Sequence, residues 1–238
     1  MTATKPISKG EEIFNDYGPL PRSDLLRMYG YITDNYTQYD VVEISYDLFI
    51  EVAGKKHSKN NTTWLKREQQ LDELGLLDDG YAIPRPEQGA STDLHGAIPT
   101  EVHMLLRALC ARDEVGKAGL KEPKDPVTVE EAALLQSVLV KRLSEYSTSY
   151  DDDLTTWDKF KQTQMQAHAA KLSKRVSMAL QVRLGEKEIL HQLISICQEY
   201  IRLKSEEVAF NRSSKRKYDG ESTQQSQKMA RNNGTQRR

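Results

Sequence analysis

Cysteine is nearly absent from this chain: Cys110 and Cys197 are the only two among 238 residues. Two separated thiols exclude a disulfide scaffold and a cysteine-rich zinc site. Both fall on apolar helical faces, so they read as small core groups in a reducing compartment. No apolar run approaches the roughly 18 residues that span a bilayer, and no basic-then-apolar start marks a secretory signal. An excess of one charge is missing too. Lys+Arg number 34 against 35 Asp+Glu, which argues against direct nucleic-acid binding. The histidines (His57, His95, His103, His168 and His191) share no metal-ligand spacing, so no metal site is expected and no histidine is given a catalytic role. Asp151-Asp152-Asp153 reads as helix-start chemistry rather than as a cation site.

What is present is concentrated near the start. Ser8-Lys9-Gly10 has turn chemistry, because glycine accepts positive φ without steric cost. Glu12 to Asn15 can run extended before Gly18-Pro19 ends the element. Ser23 is expected to cap a helix beginning at Asp24. Leu25, Leu26, Met28 and Tyr29 recur at helical spacing, and Gly30 sits where a left-handed C-cap belongs. Val41 to Ile44 reads as a β-branched strand.

From Tyr46 the pattern turns helical, with short helices expected over 46–55 and 63–77. A Pro/Gly-rich loop covers 80–99, with a short extended piece at 81–83. Pro99 opens a helix with Val102, Leu105, Leu106, Leu109 and Cys110 on one face. Thr128-Val129-Glu130-Glu131 is a capping box in front of a stripe of Ala132, Leu135, Leu139 and Leu143. A last helical block spans about 154–210. It ends in a stripe from Ile189 to Ile201, and Gly185 is expected to bend or interrupt it. Antiparallel packing of two or three helices follows. The stretch 211–238 is polar and basic and is expected to be disordered. Its clusters Lys215-Arg216-Lys217 and Lys228 to Arg231 have the form of a bipartite nuclear-import signal, which predicts a nuclear protein.

Gly10-Glu11-Glu12-Ile13-Phe14-Asn15-Asp16-Tyr17, followed by Arg27-Met28-Tyr29-Gly30-Tyr31, resembles the terminal part of a SET domain. The branch it resembles is that of the Rubisco-methyltransferase-like protein-lysine methyltransferases, above all the fungal ribosomal-lysine enzymes and their animal counterparts. Leu143 to Ser149 with Asp151, and Ser177 to Leu190 with an intact Arg183-Leu184-Gly185-Glu186-Lys187, resemble that branch's helical substrate-binding domain. The resemblance implies a mainly α fold with a small β remnant: a partial SET domain over 1–45, a helical substrate-binding domain over 46–210, and the tail.

The resemblance also implies transfer of a methyl group from S-adenosylmethionine to a lysine of a protein substrate, with a ribosomal protein as the first candidate. Tyr17 becomes the expected catalytic phenol, Tyr29 the residue packing near the cofactor, and Tyr31 part of the aromatic wall around the lysine stem. Tyr36, Tyr39 and Tyr46 are read as packing. The Gly-x-Gly segment and Asn-His pair with which SET enzymes hold the cofactor occur nowhere in the chain. The expectation is therefore the C-terminal half of an enzyme, inactive alone. The alternative is a non-catalytic recognition or scaffold module that keeps a SET remnant.

Overall fold

A computed structural model describes residues 3, 5–13, 18–54, 62–87, 94–111, 126–164 and 171–234, the side chains of residues 62, 63, 163, 164, 171–173 and 208–234 excepted. In chain order it holds α1 (Arg22–Tyr29), a 3-10 turn (Asp34–Tyr39), β1 (Val41–Ser45), α2 (Tyr46–Val52), α3 (Thr62–Glu73) and β2 (Gly80–Pro84). There follow α4 (Leu94–Ala97), α5 (Thr100–Cys110), α6 (Val129–Ser144), α7 (Tyr150–Gln164) and α8 (Lys171–Gly234). The fold is mostly helical, with β1 and β2 paired in a two-stranded sheet. Among the described residues, no helix is long and apolar enough to cross a membrane.

The chain divides into two compact units. One takes Met1–Val42 with Thr148–Glu188, and the other takes Glu43–Ser147 with Ile189–Arg238. This differs from a cut at 45/46, because 148–188 groups with the opening segment rather than with the other helices. Within that unit Gly185 lies beside Arg22 and Asp40.

In the second unit, β1 and β2 share an alternating pattern that turns Ile44, Tyr81 and Ile83 inward and leaves the intervening residues wet, the period expected of a half-buried sheet. Ser45 ends β1 and caps α2 by accepting from the Leu48 amide, and α2 and α5 both pack on α6. The capping box at the start of α6 forms in full: the Thr128 hydroxyl accepts from the Glu131 amide and the Glu131 carboxylate from the Thr128 amide. Pro99 sits at the N-cap of α5. At the other end of that helix the buried Arg67 of α3 donates to the carbonyls of Ala108 (3.3 Å) and Ala111 (2.6 Å), groups that a helix end leaves without intrahelical donors. Tyr200 on α8 donates its hydroxyl to the Val127 carbonyl. Phe49, Leu105, Leu106, Leu135, Leu139, Ile189 and Cys197 form the dry centre of this unit. Burial pushes the Cys197 thiol up to about 12, so it behaves as an inert core group.

In the first unit, the turn at Ser8–Gly10 is present. Gly10 has φ of 86°, and the Glu11 amide donates to the Ser8 carbonyl at 3.1 Å. Residues 12 and 13 are not in a strand and Ile13 is exposed. The rest of the expected extended piece, including Tyr17, lies outside the described residues. Helix α1 begins two residues before the expected start, at Arg22. Pro21 is at the N-cap with no side-chain cap, and Ser23 lies inside the helix. Proline presets the required φ, and the Asp40 carboxylate accepts from the Arg22 amide at 3.3 Å, doing what the serine was expected to do.

Helix α8 runs through Gly185 without the interruption that the residue's helix penalty led us to expect. The backbone over 211–234 is in the same helix. Propagating an existing helix needs no new nucleus, and Lys, Arg, Gln and Met tolerate the conformation well.

Candidate functional site

Tyr29 and Tyr31 are brought together by the end of α1, and Tyr17 lies outside the described residues. Gly30 adopts φ of 72° and its amide donates to the Leu26 carbonyl, the left-handed cap that a glycine accepts at little cost. That turn sets Tyr31 beside Tyr29, with ring centroids 6.4 Å apart and planes tilted by 45°. The two rings are 42% and 40% exposed. Leu25 alone of the expected apolar stripe is fully buried, and Met28 is exposed with the tyrosines. Tyr36 and Tyr39 stack edge to face at 5.6 Å. Tyr46 lies in the other unit, where it donates its hydroxyl to Glu68 at 2.9 Å. Burial, followed by that carboxylate, raises its phenol far above the ordinary range.

At the start of α1, and between α7 and α8, are buried ion pairs that no local motif announces. Arg22 and Asp40 are both buried. Arg22 Nε donates to both carboxylate oxygens of Asp40 (3.1 and 3.0 Å), and Nη2 donates to one at 2.5 Å. The pair lies against Gly185. A Cβ on that residue would stand 2.7 Å from Arg22 Nη2 and 2.7 Å from Asp40 Oδ2. The same turns of α8 carry Arg183 and Lys187, whose spacing of four places them on one face. Both reach Asp153 on α7: Arg183 at 2.7 and 2.5 Å, Lys187 at 2.6 Å. Lys187 is fully buried and Asp153 is 1% exposed. The ammonium also donates to the carbonyls of Thr148 (2.5 Å) and Ser149 (3.1 Å), and the Thr148 hydroxyl donates to Asp153 (2.8 Å). Burial alone would raise the Asp153 carboxyl. Hydrogen bonds from Arg183, Lys187 and Thr148 outweigh it and hold the group below its usual range.

The Asp151-Asp152-Asp153 run thus divides its labour. Asp152 exchanges hydrogen bonds with Ser149 at the helix start, as read from sequence. Asp153 instead serves as a buried counter-ion. Arg22, Asp40, Asp153 and Lys187 were not singled out by sequence reasoning. The intact pentapeptide 183–187 was the one signal that pointed here.

The second unit holds two polar features. A recess of about 460 Å³ at the sheet end is lined by Glu43, Ser45, Asp79, Gly80, Arg142 and Glu145. Arg142 donates there to the Glu43 carbonyl and the Glu145 carboxylate and lies over the Tyr146 ring at 4.7 Å. Elsewhere His103 is 1% exposed. Its Nδ1 is 3.2 Å from His95 Nδ1, and its Nε2 is 3.4 Å from the Glu131 carboxylate, which also accepts from Arg107. Among the described residues, no group of three or more His, Cys, Asp or Glu side chains could hold a metal ion.

Burial, then the nearby Arg107 and His95, depress the His103 imidazole pKa against the pull of Glu131. Below about pH 6.5 the unfolded chain takes up a proton that the folded one resists, so stability falls as pH drops, by up to about 1.4 kcal/mol per pH unit for one such group. Urea unfolding between pH 7.5 and 5.5 should show this slope, and His103→Gln should flatten it. An unchanged slope in the variant would assign the effect elsewhere.

Tyr29 and Tyr31 present an exposed aromatic surface.

Comparison with known proteins agrees with the helical reading. The Rubisco LSMT substrate-binding family matches residues 60–190. N-lysine methyltransferase SETD6 of Homo sapiens is 30% identical over 217 residues, covering 82% of this chain and 43% of the relative. N-lysine methyltransferase setd6 of Salmo salar is 28% identical, covering 82% and 46%. Ribosomal lysine N-methyltransferase 4 of Saccharomyces cerevisiae is 39% identical over 67 residues, 28% of this chain and 13% of the relative. The chain thus spans less than half the length of these relatives. With more than half of its own length matched and the mostly helical fold in agreement, the chain belongs to the Rubisco LSMT substrate-binding family.

Proposed function

We propose that this chain is part of a protein-lysine N-methyltransferase dependent on S-adenosylmethionine, and that its helical portion seats the protein substrate. The observation that carries the reading is the family match over 60–190 in one chain with a Gly10-to-Tyr17 motif and a Tyr29–Tyr31 pair. The match to a ribosomal-lysine enzyme makes a ribosomal protein the first substrate to try. In this proposal the Tyr17 phenol oxygen accepts a hydrogen bond from the substrate amine and aims its lone pair. Tyr31 lines the lysine stem, and Tyr29 packs near the cofactor. A dry aromatic channel disfavours the charged ammonium by desolvation, and positioning supplies much of the rate. The two basic clusters over 215–217 and 228–231 support delivery to the nucleus.

The test is calorimetry of the chain with S-adenosylmethionine, together with transfer of a labelled methyl group to ribosomal proteins. Heat and label on lysine support the enzyme reading, and Tyr17→Phe should then lower transfer at least about tenfold with the fold intact, the scale of a lost proton-handling or orienting group. Unchanged turnover in that variant removes Tyr17 from the role. Absence of both heat and label favours the second reading, a recognition or scaffold module. The match over 60–190 to a substrate-binding family is what speaks for it.

A further inference from the structure

We infer that Gly185 and the Arg22–Asp40 pair are positioning residues for the Tyr29–Tyr31 wall, an assignment whose functional meaning rests on the methyltransferase reading. Helix α1 starts at Arg22 and ends at Tyr29, a rod of about 10 Å at 1.5 Å per residue. Its first residue is held by Asp40 through the backbone amide and the guanidinium, and Leu25, one turn on, is fully buried. Two fixed points set both the direction and the rotation of a short helix. The far end carries Tyr29, and the left-handed Gly30 then directs Tyr31. The anchor in turn requires Gly185, because a side-chain carbon there would meet both members of the ion pair at 2.7 Å. Both close atoms are side-chain ends of one buried charge pair, so making room for the carbon displaces the pair that holds the start of α1. A glycine on α8 thus controls, through Arg22, where two exposed aromatic rings stand at the other end of α1.

The experiment uses this chain with Gly185→Ala. Hydrogen exchange over Arg22–Tyr31 should accelerate at least about tenfold, the mark of local opening, while α5 and α6 keep their protection. The ring-to-ring contact of Tyr29 with Tyr31, read by proton NMR, should disappear. Arg22→Lys by itself, which withdraws the Nε and Nη2 donors to Asp40 while keeping a charge, should also accelerate exchange over Arg22–Tyr31 with α5 and α6 unchanged. Unchanged exchange over Arg22–Tyr31 in Gly185→Ala overturns the inference. So does an equal loss of protection in α5 and α6, which would make Gly185 a general fold residue. Failure of methyl transfer would sink the enzyme reading and leave these exchange and NMR results standing.

Discussion

Asp153→Ala is expected to destabilise the protein by about 3–5 kcal/mol, the range for removing one partner of a buried ion pair. Lys187 is fully buried, and Asp153→Ala removes the carboxylate that hydrogen-bonds its ammonium while the Thr148 and Ser149 carbonyls and the Thr148 hydroxyl stay. Arg183 loses the same partner but is more than a third exposed, so water can replace it. Urea unfolding checks the value. A loss below about 1 kcal/mol would mean that water reaches the Lys187 ammonium in the variant. Asp153→Leu with Lys187→Met should recover much of the loss, because apolar replacement of a whole buried pair is often neutral or better. Since the folded Asp153 carboxyl titrates below its usual range, its contribution is present above the ordinary carboxylate pKa and disappears as pH falls through the depressed one.

Phe49→Ala should cost about 3–5 kcal/mol through lost burial and the cavity left behind. Phe49 is fully buried in α2, and its ring meets Tyr81 edge to face at 5.7 Å and 87°, joining that helix to the sheet. The urea midpoint should fall sharply with little change in slope. Leu203→Ala is the control. Its side chain is exposed on α8, and the change should stay within about 0.5 kcal/mol plus the small helix-propensity difference. A Phe49 effect no larger than that of Leu203 would contradict the core described here.

The features legible in the sequence were those decided within a few residues. Thr128 with Glu131, Gly30 after Tyr29, Pro99 before α5 and the branched run at Val41 each carry their own local cause, and each is realised. Of the stripe from Ile189 to Ile201, Ile189, Leu190, Leu193 and Cys197 are buried, and Ile194 and Ile201 at its margin are half-buried. What escaped were interactions between distant positions. Arg22 and Asp40 are 18 apart, and Asp153 and Lys187 are 34 apart. No local pattern says that an aspartate in an acidic run will be dry or that a lysine will be its partner. Gly185 was misread for the same reason: its local helix penalty is visible, and the ion pair that needs its missing side chain is not. Ser23 lost its capping role because Asp40 reached the helix start from elsewhere.

The pentapeptide 183–187 has a use for anyone scanning other sequences. Its two cations and its glycine serve a buried aspartate and a seated ion pair, contacts made within the chain itself. A paralogue that had lost turnover entirely would keep the same five letters for as long as it kept the same shape. The pentapeptide is therefore a signature of architecture, and it should be given no weight when active and inactive members are sorted.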